Sequence, residues 1–150
     1  MDGLQGREIH FQTAVSAGVT AACAISAGGG VECWGRNDLG QLGNDSTANS
    51  LVPVPVSGLA SGAAAVSVSN GTACAVTAWG GVECWGNNNY GQLGNNTRTN
   101  SPVPVQVMTL TSGVSALSVG YGFACAVARG GVWCWGVRSN VPVHVTGFPG

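Results

Sequence analysis

The feature that most limits what this chain can fold into is an internal repeat. Val31-Glu32-Cys33-Trp34-Gly35 returns as Val82-Glu83-Cys84-Trp85-Gly86 and again as Val132-Trp133-Cys134-Trp135-Gly136, at steps of 51 and 50. Cys23-Ala24-Ile25 returns as Cys74-Ala75-Val76 and Cys125-Ala126-Val127. Gly40-Gln41-Leu42-Gly43-Asn44 returns as Gly91-Gln92-Leu93-Gly94-Asn95. Val52-Pro53-Val54 returns as Val103-Pro104-Val105 and Val141-Pro142-Val143. The third copy runs short. Gly35 and Val52 are spaced as Gly86 and Val103 are, but Val141 follows close behind Gly136, and the whole Gly-Gln-Leu-Gly turn is missing. A period near 50 with short Val-rich runs points to one antiparallel sheet per repeat. No i, i+3, i+4 pattern of a helical repeat is visible. Each unit reads as strands joined by Gly turns, a long Gly/Asn loop and a Pro-bounded edge strand.

Composition removes the competing classes. The chain has 150 residues, enough for one domain. Charged residues are 7% of it, the cations are five Arg, and the net charge is −1. No basic patch can be assembled from these to hold a phosphate backbone, so nucleic acid is not expected as a partner. A hydrophobic content of 45% argues against disorder. No apolar stretch is long enough for a membrane-spanning helix. Met1 to Gln12 carries Asp2 and Glu8 and lacks the apolar core of a secretory signal. Ile9 and Phe11 alternate with Glu8, His10 and Gln12, which suits a short strand. We expect residues 1–12 to be an N-terminal arm, a candidate strand donor, followed by three repeats at about 13–64, 65–113 and 114–150.

Six Cys fall in three pairs: Cys23/Cys33, Cys74/Cys84 and Cys125/Cys134. The spacing does not suit zinc. A hairpin explains it. Three-residue loops at Ala27-Gly28-Gly29 and Ala78-Trp79-Gly80 place Cys23 opposite Cys33 and Cys74 opposite Cys84. A two-residue loop at Arg129-Gly130 in the shorter third copy still places Cys125 opposite Cys134. Directly opposed residues sit within reach of a disulfide. Three cross-strand disulfides are expected, and with them an oxidising, extracellular or cell-surface setting. The alternative is three pairs of buried thiols. On the other face of each hairpin, Ala22, Ala73 and Ala124 oppose Trp34, Trp85 and Trp135, a small-against-large pattern that interlocks sheets.

The Cys-Trp-Gly, Gly-Gln-Leu-Gly and Pro-x-x-Val elements at this step resemble the repeats of the regulator-of-chromosome-condensation family, over about residues 13 to 148. The resemblance implies a β-propeller, usually of seven blades. It also raises guanine-nucleotide exchange, the founding member's activity, which needs a large acidic rim on a complete propeller. This chain has six acids and three repeats. Where many members carry His-Thr or His-Ser, it has Ala21-Ala22, Thr72-Ala73 and Phe123-Ala124.

No constellation suited to catalysis, cofactor or metal binding stands out. His10 and His144 are unrepeated, and Glu32 and Glu83 lie one repeat apart, too far to work as an acid pair. The sequons at Asn44, Asn70 and Asn95 are possible glycan sites, or turn-forming Asn. Leu42, Tyr90, Leu93 and Trp79 are candidate interaction residues, although Leu42 and Leu93 could instead fold back to plug the blade. The reading is an all-β array of three four-stranded propeller-type repeats, either an open arc or part of a larger ring. Its expected role is a non-catalytic extracellular interaction or self-assembly module, a subunit of a homo-oligomer or filament. A secreted inhibitor-like binding fragment is the alternative. Low charge and the absence of a polar capping repeat favour assembly with copies of itself or another protein.

Overall fold

A computed structural model describes residues 11–149. Twelve strands follow one another with no helix among the described residues. The first sheet comprises β1 (Gln12–Ala17), β2 (Ala21–Ser26), β3 (Val31–Gly35) and β4 (Ser50–Pro55). The second comprises β5 (Ala65–Ser69), β6 (Thr72–Val76), β7 (Val82–Gly86) and β8 (Ser101–Gln106). The third comprises β9 (Val114–Val119), β10 (Phe123–Ala128), β11 (Gly131–Gly136) and β12 (Ser139–Val145). Each is a four-stranded antiparallel meander in chain order, as the repeat predicts. Within the sheets, proline is confined to the outermost strands β4, β8 and β12, where a missing N–H breaks no ladder.

The hairpin registers follow from the turns. Ser26 N–H bonds the Gly30 carbonyl around the loop 27–29, and Thr77 N–H bonds the Gly81 carbonyl around 78–80. In the third sheet Ala128 faces Gly131 across Arg129 and Gly130, both with positive φ. Cys23 faces Cys33, Cys74 faces Cys84 and Cys125 faces Cys134 despite the change of loop length. Each pair is bridged in the structure, with Cα atoms 4.0, 4.0 and 4.1 Å apart.

The core lies between sheets rather than within them. One face of each sheet carries the cysteines and Val; the other carries Ala and Trp. Cys23, Ile25, Val31 and Cys33 of the first sheet pack on Ala73, Ala75 and Trp85 of the second. Cys74, Val76, Val82 and Cys84 of the second pack on Ala124, Ala126 and Trp135 of the third. The small alanines let the bulky indole enter. Trp85 and Trp135 are buried, and each indole N–H donates across the junction, to the Gln41 carbonyl at 3.0 Å and the Gln92 carbonyl at 2.9 Å. Gly43 and Gly94 make room for these rings. A Cβ on either would lie within 2.8 Å of the next sheet's indole, and both have positive φ. Two further bonds, which the sequence does not announce, zip the first strands together. Val68 N–H donates to Ser16 Oγ, and Val119 N–H to Ser67 Oγ, each at 3.0 Å.

Two expectations change. Gln12 belongs to the chain's own β1, paired with Ser26, and the Phe11 carbonyl accepts from Ala27 N–H, so these two residues are not a donated strand. The rest of the expected arm, Met1–His10, lies outside the described residues. Leu42 and Leu93 have no exposed surface. They plug the sheet junctions and are not available to a partner, because they are buried in the same clusters as Cys33 and Trp85, and Cys84 and Trp135. Leu93→Ala should therefore cost about 2–5 kcal/mol in urea unfolding. Leu51→Ala, at a side chain 97% exposed, should change stability by less than about 0.5 kcal/mol.

Candidate functional site

The longest connections, residues 36–49 and 87–100, carry the loops expected to display recognition residues. Each is organised by a fully buried asparagine, Asn37 in the first and Asn88 in the second. Asn88 Nδ2 donates to the Thr97 and Thr99 carbonyls, and Asn88 Oδ1 accepts from Leu93 N–H. Its own N–H donates to Asn100 Oδ1 at 2.7 Å. Asn37 repeats the set with the Ser46 and Ala48 carbonyls, Leu42 N–H and Asn49 Oδ1. Gln41 and Gln92 are buried and accept from Leu39 N–H and Tyr90 N–H. Satisfying so many backbone groups internally gives each loop one shape and leaves few polar groups free. The sequence reading missed Asn37 and Asn88. Their recurrence at the same step of 51 was the available signal.

The proposed interaction residues scatter. Trp79 stands at the tip of the β6–β7 turn, 86% exposed. Tyr90 is 42% exposed, with its ring 6.5 Å from that of Tyr121 and packed over Gly122 of the third sheet. Trp79 and Tyr90 are thus surface groups, while Leu42 and Leu93 are core. Among the sequons, Asn44 and Asn95 are half-buried at the loops, and Asn95 Oδ1 accepts from Thr97 Oγ1 at 2.7 Å. Asn70 sits in the β5–β6 turn with φ 30°. Trp133, which takes the place of Glu32 and Glu83 in the third repeat, packs against the second junction, its ring centroid 4.7 Å from that of His144. No group of three or more His, Cys, Asp or Glu placed to hold a metal occurs among the described residues.

The two ends of the array differ from its middle. The outward face of the third sheet presents Cys125, Val127, Val132 and Cys134 half-buried, whereas the matching Cys74, Val76, Val82 and Cys84 are buried. Ser118, equivalent to Ser16 and Ser67, is exposed. At the other end, Trp34 is half-buried where Trp85 and Trp135 are covered. The chain thus ends in two faces that repeat the two halves of its own internal junctions.

Asn88→Asp keeps the acceptor for Leu93 but turns a carboxylate toward two carbonyls. It should cost on the order of 2 kcal/mol and speed amide exchange at Leu93. Burial pushes the Glu83 carboxyl above its ordinary value. The fold therefore favours the protonated form, and stability is lost as pH rises through the raised value. Glu83→Gln should raise the melting midpoint at pH 7, and the gain should vanish as pH falls below the carboxylate range.

Residues 28–77 and 80–127 match the family described as the Regulator of chromosome condensation (RCC1) repeat. The matched unit straddles sheets, taking the last two strands of one and the first two of the next. The chain is 32% identical over 132 residues to the E3 ubiquitin-protein ligase HERC2 of Homo sapiens, covering 84% of this chain and 3% of that protein. It is 35% identical over 121 residues to the ultraviolet-B receptor UVR8 of Arabidopsis thaliana, covering 78% and 27%. It is 29% identical over 139 residues to the mitochondrial RCC1 domain-containing protein RUG3 of Arabidopsis thaliana, covering 90% and 31%. The chain thus spans less than a third of the length of each of these relatives. Human WBSCR16 superposes with a TM-score of 0.80 at 24% identity, over 89% of this chain and 37% of that one. Yeast RCC1 (Prp20), solved bound to Kap60, superposes with a TM-score of 0.79 at 17% identity, over 95% and 39%. The sheets are propeller blades of that type, and the chain belongs to the regulator of chromosome condensation repeat family.

Proposed function

We propose that this chain is a non-catalytic protein-binding module, an arc of three blades that associates through its end faces with a second copy of itself or with another protein. The observation that carries this reading is the half-open outward face of the third blade. It presents the Cys and aliphatic positions that the first two blades bury against a neighbour, and the Ser position that they hydrogen-bond to one. Propellers close with typically four to eight blades, so three blades form an arc. Two copies would make six. A contact that does not close would instead give a filament. The solved yeast relative in complex with Kap60 is consistent with protein binding as the use of such blades. The three bridged cysteine pairs favour an oxidising compartment outside the cell.

Sedimentation at micromolar concentration should give a dimer or larger species. A stable monomer would contradict self-association. Alkylation of the native protein without reductant should modify no thiol. Six reactive thiols would remove the case for an oxidising compartment.

A further inference from the structure

The shortened third repeat leaves a defined space. In the first two blades, the long loops 36–49 and 87–100 join β3 to β4 and β7 to β8. In the third, Val137 and Arg138 alone join Gly136 to Ser139. The equivalence is fixed by register. Gly35 pairs with Ser50, Gly86 with Ser101 and Gly136 with Ser139. Likewise Cys33 pairs with Val54, Cys84 with Val105 and Cys134 with Val143. In the first two blades that Cys–Val pair belongs to the same hydrophobic cluster as the buried Leu42 or Leu93 of the glycine turn. In the third no such turn exists, and the pair is half-exposed. Cys134 and Val143 line an open, largely apolar cavity of about 600 Å³, with Phe123, Trp135, Val137 and Arg138 around it. Phe123 is 47% and Val143 51% exposed. Among the described residues Arg138 has no ion-pair partner.

We propose that this cavity is a seat for a leucine-bearing glycine turn of a partner protein, with a carboxylate beside the turn meeting Arg138. The chain supplies the shape of its own ligand twice over. The first loop, Asn37–Asp45, also carries the matching charge in Asp38 and Asp45, whereas the second, Asn88–Asn96, carries none. Neither loop of a folded copy can serve, because both are committed to their own junctions. The occupant is therefore a turn of this kind in another protein. This rests on the protein-binding reading above and names the surface and the chemistry it selects.

The test uses fluorescently labelled, head-to-tail cyclised peptides of residues 37–45 and 88–96, titrated with the whole protein. Both should bind saturably, the 37–45 peptide more tightly at low salt and with greater salt sensitivity. Leu42→Ala in the 37–45 peptide should weaken binding about tenfold. Arg138→Ala in the protein should weaken the 37–45 peptide severalfold and leave the 88–96 peptide unchanged. Inserting residues 88–99 of the second repeat between Val137 and Arg138 fills the cavity in cis and should abolish binding of both peptides. Undiminished binding to that variant, indifference to the leucine, no binding up to millimolar protein, or binding of an apolar dye without either peptide would each overturn the proposal. Self-association is read separately, by sedimentation of the unmodified protein, so loss of the seat and loss of the wider reading are told apart.

Discussion

The structure depends on one contact made twice: the glycine turn of one blade closing over the tryptophan of the next. Each blade on its own is a thin meander of Ala, Val and Ser with no interior. Its apolar faces become a core only when a neighbour covers them. The turn does three jobs there. Its leucine joins the buried cluster that holds the disulfide, its glycine admits the indole, and its glutamine carbonyl accepts a hydrogen bond from the indole N–H. The serine bonds between first strands hold the same neighbours at their other edge. Blade geometry and blade order therefore come from a repeated local device rather than from a central core.

That device explains the polar loops as well. A buried asparagine in each long loop satisfies carbonyls that would otherwise lie unpaired beside the junction. The loop must be rigid because the leucine it carries is structural. Its residues look like recognition residues in sequence, being Asn, Gly and Thr with an isolated leucine, yet most of their hydrogen bonds turn inward. Of the candidate anchors, only Trp79 and one side of Tyr90 remain on the surface.

Much of this is legible in the sequence. The period sets the number of sheets. The facing of Cys125 and Cys134 follows from a loop one residue shorter at an unchanged hairpin. The Ala–Trp pairing marks the interlocking face. Other features are not legible, for physical reasons. Asn37 and Asn88 resemble solvent-facing turn residues because their partners lie about ten positions away in irregular loops. Ser16 and Ser67 resemble ordinary polar strand positions because their partners lie 52 residues on. Leu42 and Leu93 read equally as anchors or plugs, since a lone leucine in a polar loop carries no direction. Only the neighbouring blade decides.

The third blade lacks both the long loop and a following blade, and there the equivalent disulfide is half-exposed and a cavity opens beside it. The central claim is that turn and tryptophan form one cooperative unit across each junction. A double-mutant cycle in urea between Leu42→Ala and Trp85→Phe tests it most directly. The account predicts a coupling of at least about 1 kcal/mol, because the two side chains share one cluster and the Trp85 indole bonds the Gln41 carbonyl beside Leu42. Additivity within about 0.3 kcal/mol would contradict it.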